Sequence, residues 1–526
     1  MNRKEFLGKS IAAGLLPVVI NGFSLQAFAD SPLVTFLGKA GNEDRVLVLI
    51  QLNGGNDGLN TIIPLDQYSR YYAARTNIAI PENKVLGVTG NQTLGFHPSM
   101  THMRAMYDSG KVSLIQGVGY PNQDFSHFRS TDIWLTGSDA DENIETGWMG
   151  RYLDTKFPDF PKGYPNTTNP DPPAIQIGAM ISPALQGGNM SLGMSITDPT
   201  NFYQFINGTV DPAPATPMGH ELTFLRLVAQ QTQAYSGTIK SAADKATNKS
   251  TLYPATGQNT LADQLKIVAR LVAGGLKTRV YMVSLGGFDT HATQVAVGSP
   301  ETGAHATLLQ RVSQAVNAFQ DDLKLLGIEE RVLGMTFSEF GRRIKSNDSL
   351  GTDHGAAAPL FVFGAKVNGG VIGSNPIIPD NPSPGDSLTM QHDFRSIYAS
   401  LLKDWFEVSD ADLNTIMMGS FNTLPIVNKG ANSVSENSLE AEQLLSNFPN
   451  PAQDETTIRF SSLGGNVEIR LFDQSGKELL LLANEKYSYG AHELKINTSS
   501  LAQGVYFYQM INGNRKASRK LVITNR

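Results

Sequence analysis

The chain has 526 residues, a net charge of −6 and no cysteine. The length allows more than one domain, the acidic balance argues against a nucleic-acid-binding protein, and the missing thiols exclude disulfides, thiolate metal sites and cysteine nucleophiles. With 40% apolar and 17% charged residues, the bulk of the chain is expected to fold.

Residues 1–29 read as a signal peptide. Arg3 and Lys4 give a basic start, Ile11 to Ile20 an apolar core too short to span a membrane, and Ala27-Phe28-Ala29 a small-residue cleavage site. The Arg3-Lys4-x-Phe6-Leu7 string resembles a weakened twin-arginine signal, so the export route stays open. No later stretch is long and apolar enough to anchor the mature chain.

Next come apolar runs that end in short polar islands. Val46 to Leu52 precedes Asn53-Gly54-Gly55-Asn56-Asp57-Gly58, and Val112 to Val118 precedes the segment Asp124-Phe125-Ser126-His127-Phe128-Arg129-Ser130. Val280 to Leu285 leads to Gly286-Gly287-Phe288-Asp289-Thr290-His291. Val332 to Phe337 leads to Ser338-Glu339-Phe340-Gly341-Arg342, with Gly351-Thr352-Asp353-His354-Gly355 behind it and a further apolar strand at Ala358 to Gly364. Near-continuous apolar strands mark parallel sheets covered on both faces. Helical spacing at Leu261, Leu265, Val268, Ala269 and Val272, and again at Leu308, Leu309, Val312, Val316, Phe319 and Leu323, separates these strands. The β-α-β-α order predicts a parallel α/β sheet with right-handed crossovers. Ligands of such sheets bind at the carboxyl ends of the strands, so the islands are expected to share one crevice. The segments 157–173 and 211–218 are expected to be loops of a rim over it.

Each island has a plain alternative. Asn-Asp-Gly at Asp57 is turn chemistry. Asp289 can cap a turn beside a surface histidine at His291; in an extended segment the two would instead project to one side and share a cation. Glu339 can pair with Arg342 or Arg343. Ser126 can cap a helix, leaving His127 and Arg129 exposed, or it can be a nucleophile activated by metal, with Arg129 holding the remaining oxygens of a phosphate or sulfate. No Gly-x-Ser-x-Gly elbow frames Ser126, which weakens a metal-free esterase reading. His97, His102, His305 and His392 have no comparable setting, and Asp393 and Arg395 are expected to cap and brace the helix through Ile397, Leu401 and Leu402.

The composition changes near residue 427. Residues 428–444 read as a linker, and 445–526 as a small all-β sandwich with alternation at Val467, Ile469 and Leu471 and a hairpin turn at Asn512-Gly513. The Asn447-Phe448-Pro449-Asn450-Pro451 opening and the Leu501-Ala502-Gln503-Gly504-Val505-Tyr506-Phe507 to Lys520-Leu521-Val522 ending resemble the C-terminal sorting domain of the type IX secretion system. That resemblance implies export through the periplasm to the outer-membrane surface or beyond, with the secretion machinery as partner.

From about Arg45 to Pro425, the strings Gln51 to Asn60, Ser126-His127-Phe128, Gly287 to His291, Ser338 to Arg342 and Thr352 to Gly355 resemble the bacterial family called domain of unknown function 1501. That family is similar to the alkaline phosphatase and sulfatase superfamily. The resemblance implies an alkaline-phosphatase-like domain over 30–427, an α/β/α sandwich with a mostly parallel central sheet. It implies a divalent metal site of one or two ions (zinc, manganese, magnesium or calcium), with Asp57, Asp289, His291, Glu339, His354 and also Asp353 as ligands. It implies Ser126 as nucleophile, with Arg129 beside it, acting on a small-molecule or polysaccharide ester. The pattern departs from the superfamily in three places: Glu339 stands at a strand end where an Asp-His pair is usual, with Asp353-His354 coming later, and two spacings differ. One residue, not three, separates Asp289 from His291, and Arg129 lies three residues from Ser126 with no proline between. The expected activity is hydrolysis of phosphate or sulfate esters; the alternative is an inactive surface binding or structural protein on the same scaffold.

Overall fold

The computed structural model describes residues 44–198 and 235–428, then 444, 447, 449–474, 476–512 and 515–524. The expected signal peptide, the loop 211–218, the linker between its end residues, and Gly513 of the hairpin turn lie outside the described residues. The chain divides into two compact units, with the boundary after Asn428.

Nine strands build the sheet of the first unit: β1 (Val46–Leu52), β2 (Val112–Gly119), β3 (Ala174–Ile177), β4 (Gly193–Ile196), β5 (Val280–Leu285), β6 (Val332–Phe337), β7 (Ala358–Gly364), β8 (Gly370–Ile372) and β9 (His392–Asp393). Their order is β8-β2-β7-β6-β1-β5-β3-β4, with β9 also on β2. β1 lies between β5 and β6 and runs parallel to both, pairing Leu52 with Leu285 and Gln51 with Phe337. β7 alone runs against its neighbours β6 and β2. The fold is thus mixed α/β with a large, mostly parallel central sheet. Six of the seven β1 residues are buried, and all eight of β2, which is why these strands read as unbroken apolar runs.

The helices that position the site are α1 (Tyr68–Ala74), α2 (Thr101–Asp108), α3 (His127–Thr136), α4 (Trp148–Lys156), α5 (Thr260–Ala273), α6 (Ala304–Leu325), α7 (Phe394–Ser400) and α8 (Asp410–Met417). Asn259 starts α5 by accepting a hydrogen bond from the Ala262 N–H, and Leu261, Leu265, Val268, Ala269 and Val272 form its buried stripe. α6 buries Leu308, Leu309, Val312, Val316, Phe319 and Leu323 in the same way. Each such side chain removed from water contributes roughly 1.5–3 kcal/mol. The Met103 N–H of α2 donates to Ser313 Oγ, which ties α2 to α6. In another helix group, Trp134 of α3 stacks on Phe337 and Phe394, while Trp148 of α4 stacks on Tyr398 with ring centroids 3.9 Å apart. Asp393 caps α7 through the Arg395 N–H and also pairs with the Arg395 guanidinium.

The described part of the second unit is all-antiparallel. Its strands β10 (Glu455–Phe472), β11 (Glu478–Asn497), β12 (Gly504–Asn512) and β13 (Arg515–Ile523) form one sheet in the order β11-β10-β12-β13. Val467, Ile469, Leu471, Tyr508, Met510 and Leu521 make its core, while Phe507 points to the other face and is exposed. Asn447 of the opening motif is locked in place: its N–H donates to the Tyr508 hydroxyl and its side-chain amide to Thr456 Oγ1.

Candidate metal centre

Because β6, β1 and β5 are adjacent and parallel, the loops that follow them leave the sheet side by side. The Asn53 N–H donates to the Leu285 carbonyl, the Ser338 hydroxyl to the Leu52 carbonyl and the Asn56 N–H to Ser338 Oγ. Two glycines let these loops touch. Gly54 has φ +124°, and a Cβ there would lie 2.2 Å from the Asp289 nitrogen; at Gly55, φ +80°, it would lie 2.3 Å from the Phe340 ring. Arg342, fully buried, stitches the loops from within. It donates to the carbonyls of Gly54, Gly55, Phe288 and Thr352, and to Asp289 Oδ1 at 2.7 Å.

Three imidazoles converge on Asp289. His127 Nε2 lies 3.4 Å from Asp289 Oδ2, while His291 Nε2 and His354 Nε2 each lie 3.3 Å from Asp289 Oδ1. The two latter nitrogens are 2.8 Å apart. The other ring nitrogen of each histidine meets an acceptor. His127 Nδ1 is 2.8 Å from Glu339 Oε1, His291 Nδ1 is 3.1 Å from Asp353 Oδ1, and His354 Nδ1 is 2.7 Å from the Phe125 carbonyl. A carbonyl can only accept, and the two carboxylates accept when ionised. The carbonyl partner therefore assigns the proton of a neutral His354 ring to Nδ1, while His127 and His291 each stand between two carboxylates, Asp289 on the Nε2 side and Glu339 or Asp353 on the Nδ1 side. Packing holds the rings in place: Phe340 lies against both His127 and His354, at 4.9 and 4.4 Å between centroids.

Burial works against the Asp289 charge, yet the hydrogen bond and the charge of Arg342 hold its carboxyl down at about 2. Burial would likewise raise the Asp353 carboxyl, but hydrogen bonds from His291 and Asn347 keep it below the usual range. Burial pushes the His354 ring below the usual imidazole value. Among the described residues, His127, Asp289 and His354 are the group of three acids or imidazoles whose ligand atoms all lie within 4.8 Å of one another. The donor chemistry fits a metal ion. A tetrahedral ion with metal–nitrogen bonds of about 2.0–2.1 Å has ligand-to-ligand edges of roughly 3.3 Å, close to the separations measured around Asp289.

Asp57 takes a different place. Its carboxylate is buried and accepts from Arg75 Nη1 at 2.9 and 2.8 Å and from Gln294 Nε2 at 2.7 Å. Arg75, equally buried, also donates to the Ile344 and Arg343 carbonyls and to Asn60 Oδ1. Burial would raise the Asp57 carboxyl, but the Arg75 charge and the hydrogen bonds from Arg75 and Gln294 hold it below the usual range. Next to this pair, His305 Nε2 lies 3.0 Å from Asn56 Oδ1, and His97 packs edge-on to His305.

The structure thus brings Asp289, His291, Glu339, Asp353 and His354 together and leaves Asp57 in a neighbouring buried network. Glu339 and Asp353 stand behind the histidines, on the Nδ1 side. Ser126 is exposed at the start of α3, between Phe125, whose carbonyl holds His354, and His127; its side chain makes no cap hydrogen bond. The Arg129 guanidinium turns away, to Asp132 Oδ2 at 2.5 Å and to the carbonyls of Asp139, Ala140 and Glu142. His127 is the residue that sequence reasoning left unassigned. Its available signal was position: a histidine behind a buried strand, at the same sheet edge as the other islands.

With acids and imidazoles gathered at the carboxyl edge of its large, mostly parallel sheet, the chain falls in the class of mixed α/β proteins. Residues 221–385 match the family model "Protein of unknown function (DUF1501)", and residues 446–524 match "Secretion system C-terminal sorting domain". The first match contains Asp289, His291, Glu339, Asp353 and His354; the Asn53–Asn60 and Ser126–Phe128 strings lie ahead of it. No curated protein matches the chain by sequence. Among solved structures, a sulfatase from Pseudoalteromonas sp. is similar at 10% identity and a TM-score of 0.35, covering 90% of this chain and 87% of that one. A protein of the alkaline phosphatase superfamily from Vibrio parahaemolyticus is similar at 9% identity and a TM-score of 0.33, covering 84% and 83%. A phosphonate monoester hydrolase from Silicibacter pomeroyi is similar at 10% identity and a TM-score of 0.29, covering 82% and 90%. At these scores the fold description rests on the sheet topology itself.

Proposed function

We propose that this protein is an exported, metal-dependent hydrolase of phosphate or sulfate esters. The observation that carries the reading is the convergence of three imidazole Nε2 atoms on the Asp289 carboxylate. Imidazole-rich donors favour zinc or another transition ion over calcium or magnesium, which take oxygen ligands. When bound, such an ion supplies Lewis acidity and lowers the pKa of a hydroxyl or water at neutral pH. The chain's own residues would do the rest. Asp289 and the histidines hold the ion, Glu339 and Asp353 orient His127 and His291, and Ser126 presents its hydroxyl one residue from His127. The sorting-domain match supports export to the cell surface or the extracellular space, with the secretion machinery as partner. Among the described residues no helix is long and apolar enough to cross a membrane.

The test is turnover of aryl phosphates, phosphate diesters and aryl sulfates by the mature, zinc- or manganese-loaded protein. Ser126→Ala is expected to abolish turnover while metal content is unchanged; full activity in that variant would remove the serine from the chemistry. One observation favours a second reading, a binding or structural protein on the same scaffold: Asp57 and Arg129, both expected at the site, are tied to other protein groups. Metal-saturated protein that turns over none of these esters would favour that reading.

A further inference from the structure

The Glu339 side chain meets His127, but the Glu339 backbone is held as well, and the group that holds it lies on the helix that begins with His127. Ser130, three residues on in α3, is fully buried, and its hydroxyl donates to the Glu339 carbonyl at 2.5 Å. We infer that Ser130 and Tyr120 are positioning residues. A directed chain of hydrogen bonds through their hydroxyls sets the segment from Asp124 to His127, with the Ser126 hydroxyl in it, against the loop that follows β6. The inference rests on the proposed function for the role of Ser126, and its spectroscopic test is independent of ester hydrolysis.

The direction of each bond follows from what each atom can do. A carbonyl only accepts, so the single Ser130 hydroxyl proton is committed to Glu339. The Tyr120 hydroxyl, 2.8 Å from Ser130 Oγ, is then the donor of that pair. The Tyr120 oxygen is left to accept from the Asp124 N–H at 3.2 Å. Asp124 Oδ1 in turn accepts from the Ser126 N–H at 2.6 Å. Four links thus run from the Glu339 carbonyl to the backbone of Ser126. Gln123 Nε2 braces the middle of the chain, donating to Ser130 Oγ at 3.0 Å and to the Asp124 carbonyl at 2.9 Å.

The fixed segment touches the site twice. Phe125 presents its carbonyl to His354 Nδ1 at 2.7 Å. His127, a neighbour of Ser130 on the helix surface at i, i+3, sets its Nδ1 2.8 Å from Glu339 Oε1. The Glu339 carboxylate is fixed independently by the Gly54 N–H. A shift of Ser130 against the Glu339 backbone therefore carries His127 and the Phe125 carbonyl with it. Tyr120 is a firm anchor: it is buried, and its ring packs edge-on against Phe394 of α7 with centroids 6.0 Å apart. Burial pushes the Tyr120 phenol up, so the hydroxyl stays protonated near neutral pH and remains a donor.

The experiment compares Tyr120→Phe and Ser130→Ala with wild type in the mature full chain. Nitrogen NMR of the histidine-labelled, chelator-treated protein reads the His127 and His354 rings. In both variants these signals should shift or broaden, while those of His97 and His305, in the buried cluster beside Asp57, stay at their wild-type positions. A general loss of stability moves neither pair below the unfolding transition. Turnover of aryl phosphates and aryl sulfates by the zinc- or manganese-loaded proteins should show kcat lowered about 10–100-fold at nearly constant KM, as expected when a reacting group is displaced and binding is kept. Tyr120→Phe removes one oxygen and keeps the ring, so it decides the matter if circular dichroism shows that Ser130→Ala does not fold. Wild-type His127 and His354 signals in folded Tyr120→Phe, or an unchanged kcat in an active protein, would overturn the inference. A wild-type protein that turns over no ester removes the hydrolase reading, and the ring signals then decide the inference alone.

Discussion

Two polar clusters sit at adjacent strand ends of one sheet, and they are built to opposite rules. Around Asp57 every strong donor and acceptor has a partner within the protein, and the cluster is closed to solvent. Around Asp289 the imidazoles of His291 and His354 bond to each other as well as to their acceptors, and the cluster is partly open, with Asp289 itself 47% exposed. The same residue types behind the same kind of strand therefore do different work. The difference lies in what stands opposite the carboxylate: a buried guanidinium and an amide at Asp57, and three imidazoles together with Arg342 at Asp289. The first arrangement is closed on itself, and the second gathers three ligand-type side chains, His127, Asp289 and His354, within 4.8 Å of one another.

The comparison can be broken most forcefully at Arg75. Arg75→Met removes the charge and leaves Asp57 buried with only Gln294 beside it. A broken buried ion pair costs about 3–5 kcal/mol, so urea unfolding of the mature protein should shift by that much, with zinc binding by the surviving fold unchanged. A loss under about 1 kcal/mol would mean that solvent or another group already reaches Asp57.

A smaller effect comes from the histidines beside Asp57. Burial, helped by Arg342 and Arg75, pushes His305 down to about 4 against the pull of Asp57. Burial and the neighbouring His305 push His97 down to about 3. Both are neutral in the folded protein, whereas in the unfolded chain they take up protons below about 6.5. The unfolded state then binds more protons, so stability is intact above pH 6.5 and falls as the pH drops toward 4. His305 alone accounts for up to about 3 kcal/mol of that loss. His305→Gln keeps a donor near Asn56 without the titration, so its stability should vary less over this window. Equal pH dependence in both proteins would show that His305 is not neutral when folded.

The smallest effect is expected at the rim. Phe128 follows His127 directly but is 91% exposed. Phe128→Ser should change stability by less than about 0.5 kcal/mol, as exposed substitutions do. A larger loss in thermal unfolding would mean that Phe128 is covered in solution.

The sheet was largely legible because its central strands are buried on both faces. Val46–Leu52, Val280–Leu285 and Val332–Phe337 could hardly be anything else. The direction of Ala358–Gly364 was not legible, since an apolar run looks the same from either end. The short strands Ala174–Ile177 and Gly193–Ile196 at one end of the sheet were missed because four residues carry too little periodicity. Asp289, His291 and His354 stood out through their spacing behind strands. The fate of Asp57 was hidden, because its partner Arg75 lies 18 residues later on the far side of a helix and nothing local marks the pair. His127 was overlooked for a related reason. At the first position of a helix it suits a solvated surface equally well, and only Glu339, 212 residues away, shows which way its ring is turned.

The central claim is that His127, His291 and His354 turn Nε2 toward one shared ion. Nitrogen NMR of the histidine-labelled mature protein reads this directly. A His354 ring protonated at Nδ1, with Nε2 resonances of all three rings that move when zinc is added, is the predicted result. A His354 ring that carries its proton on Nε2 in the zinc-loaded protein, or Nε2 signals that ignore zinc, would contradict it.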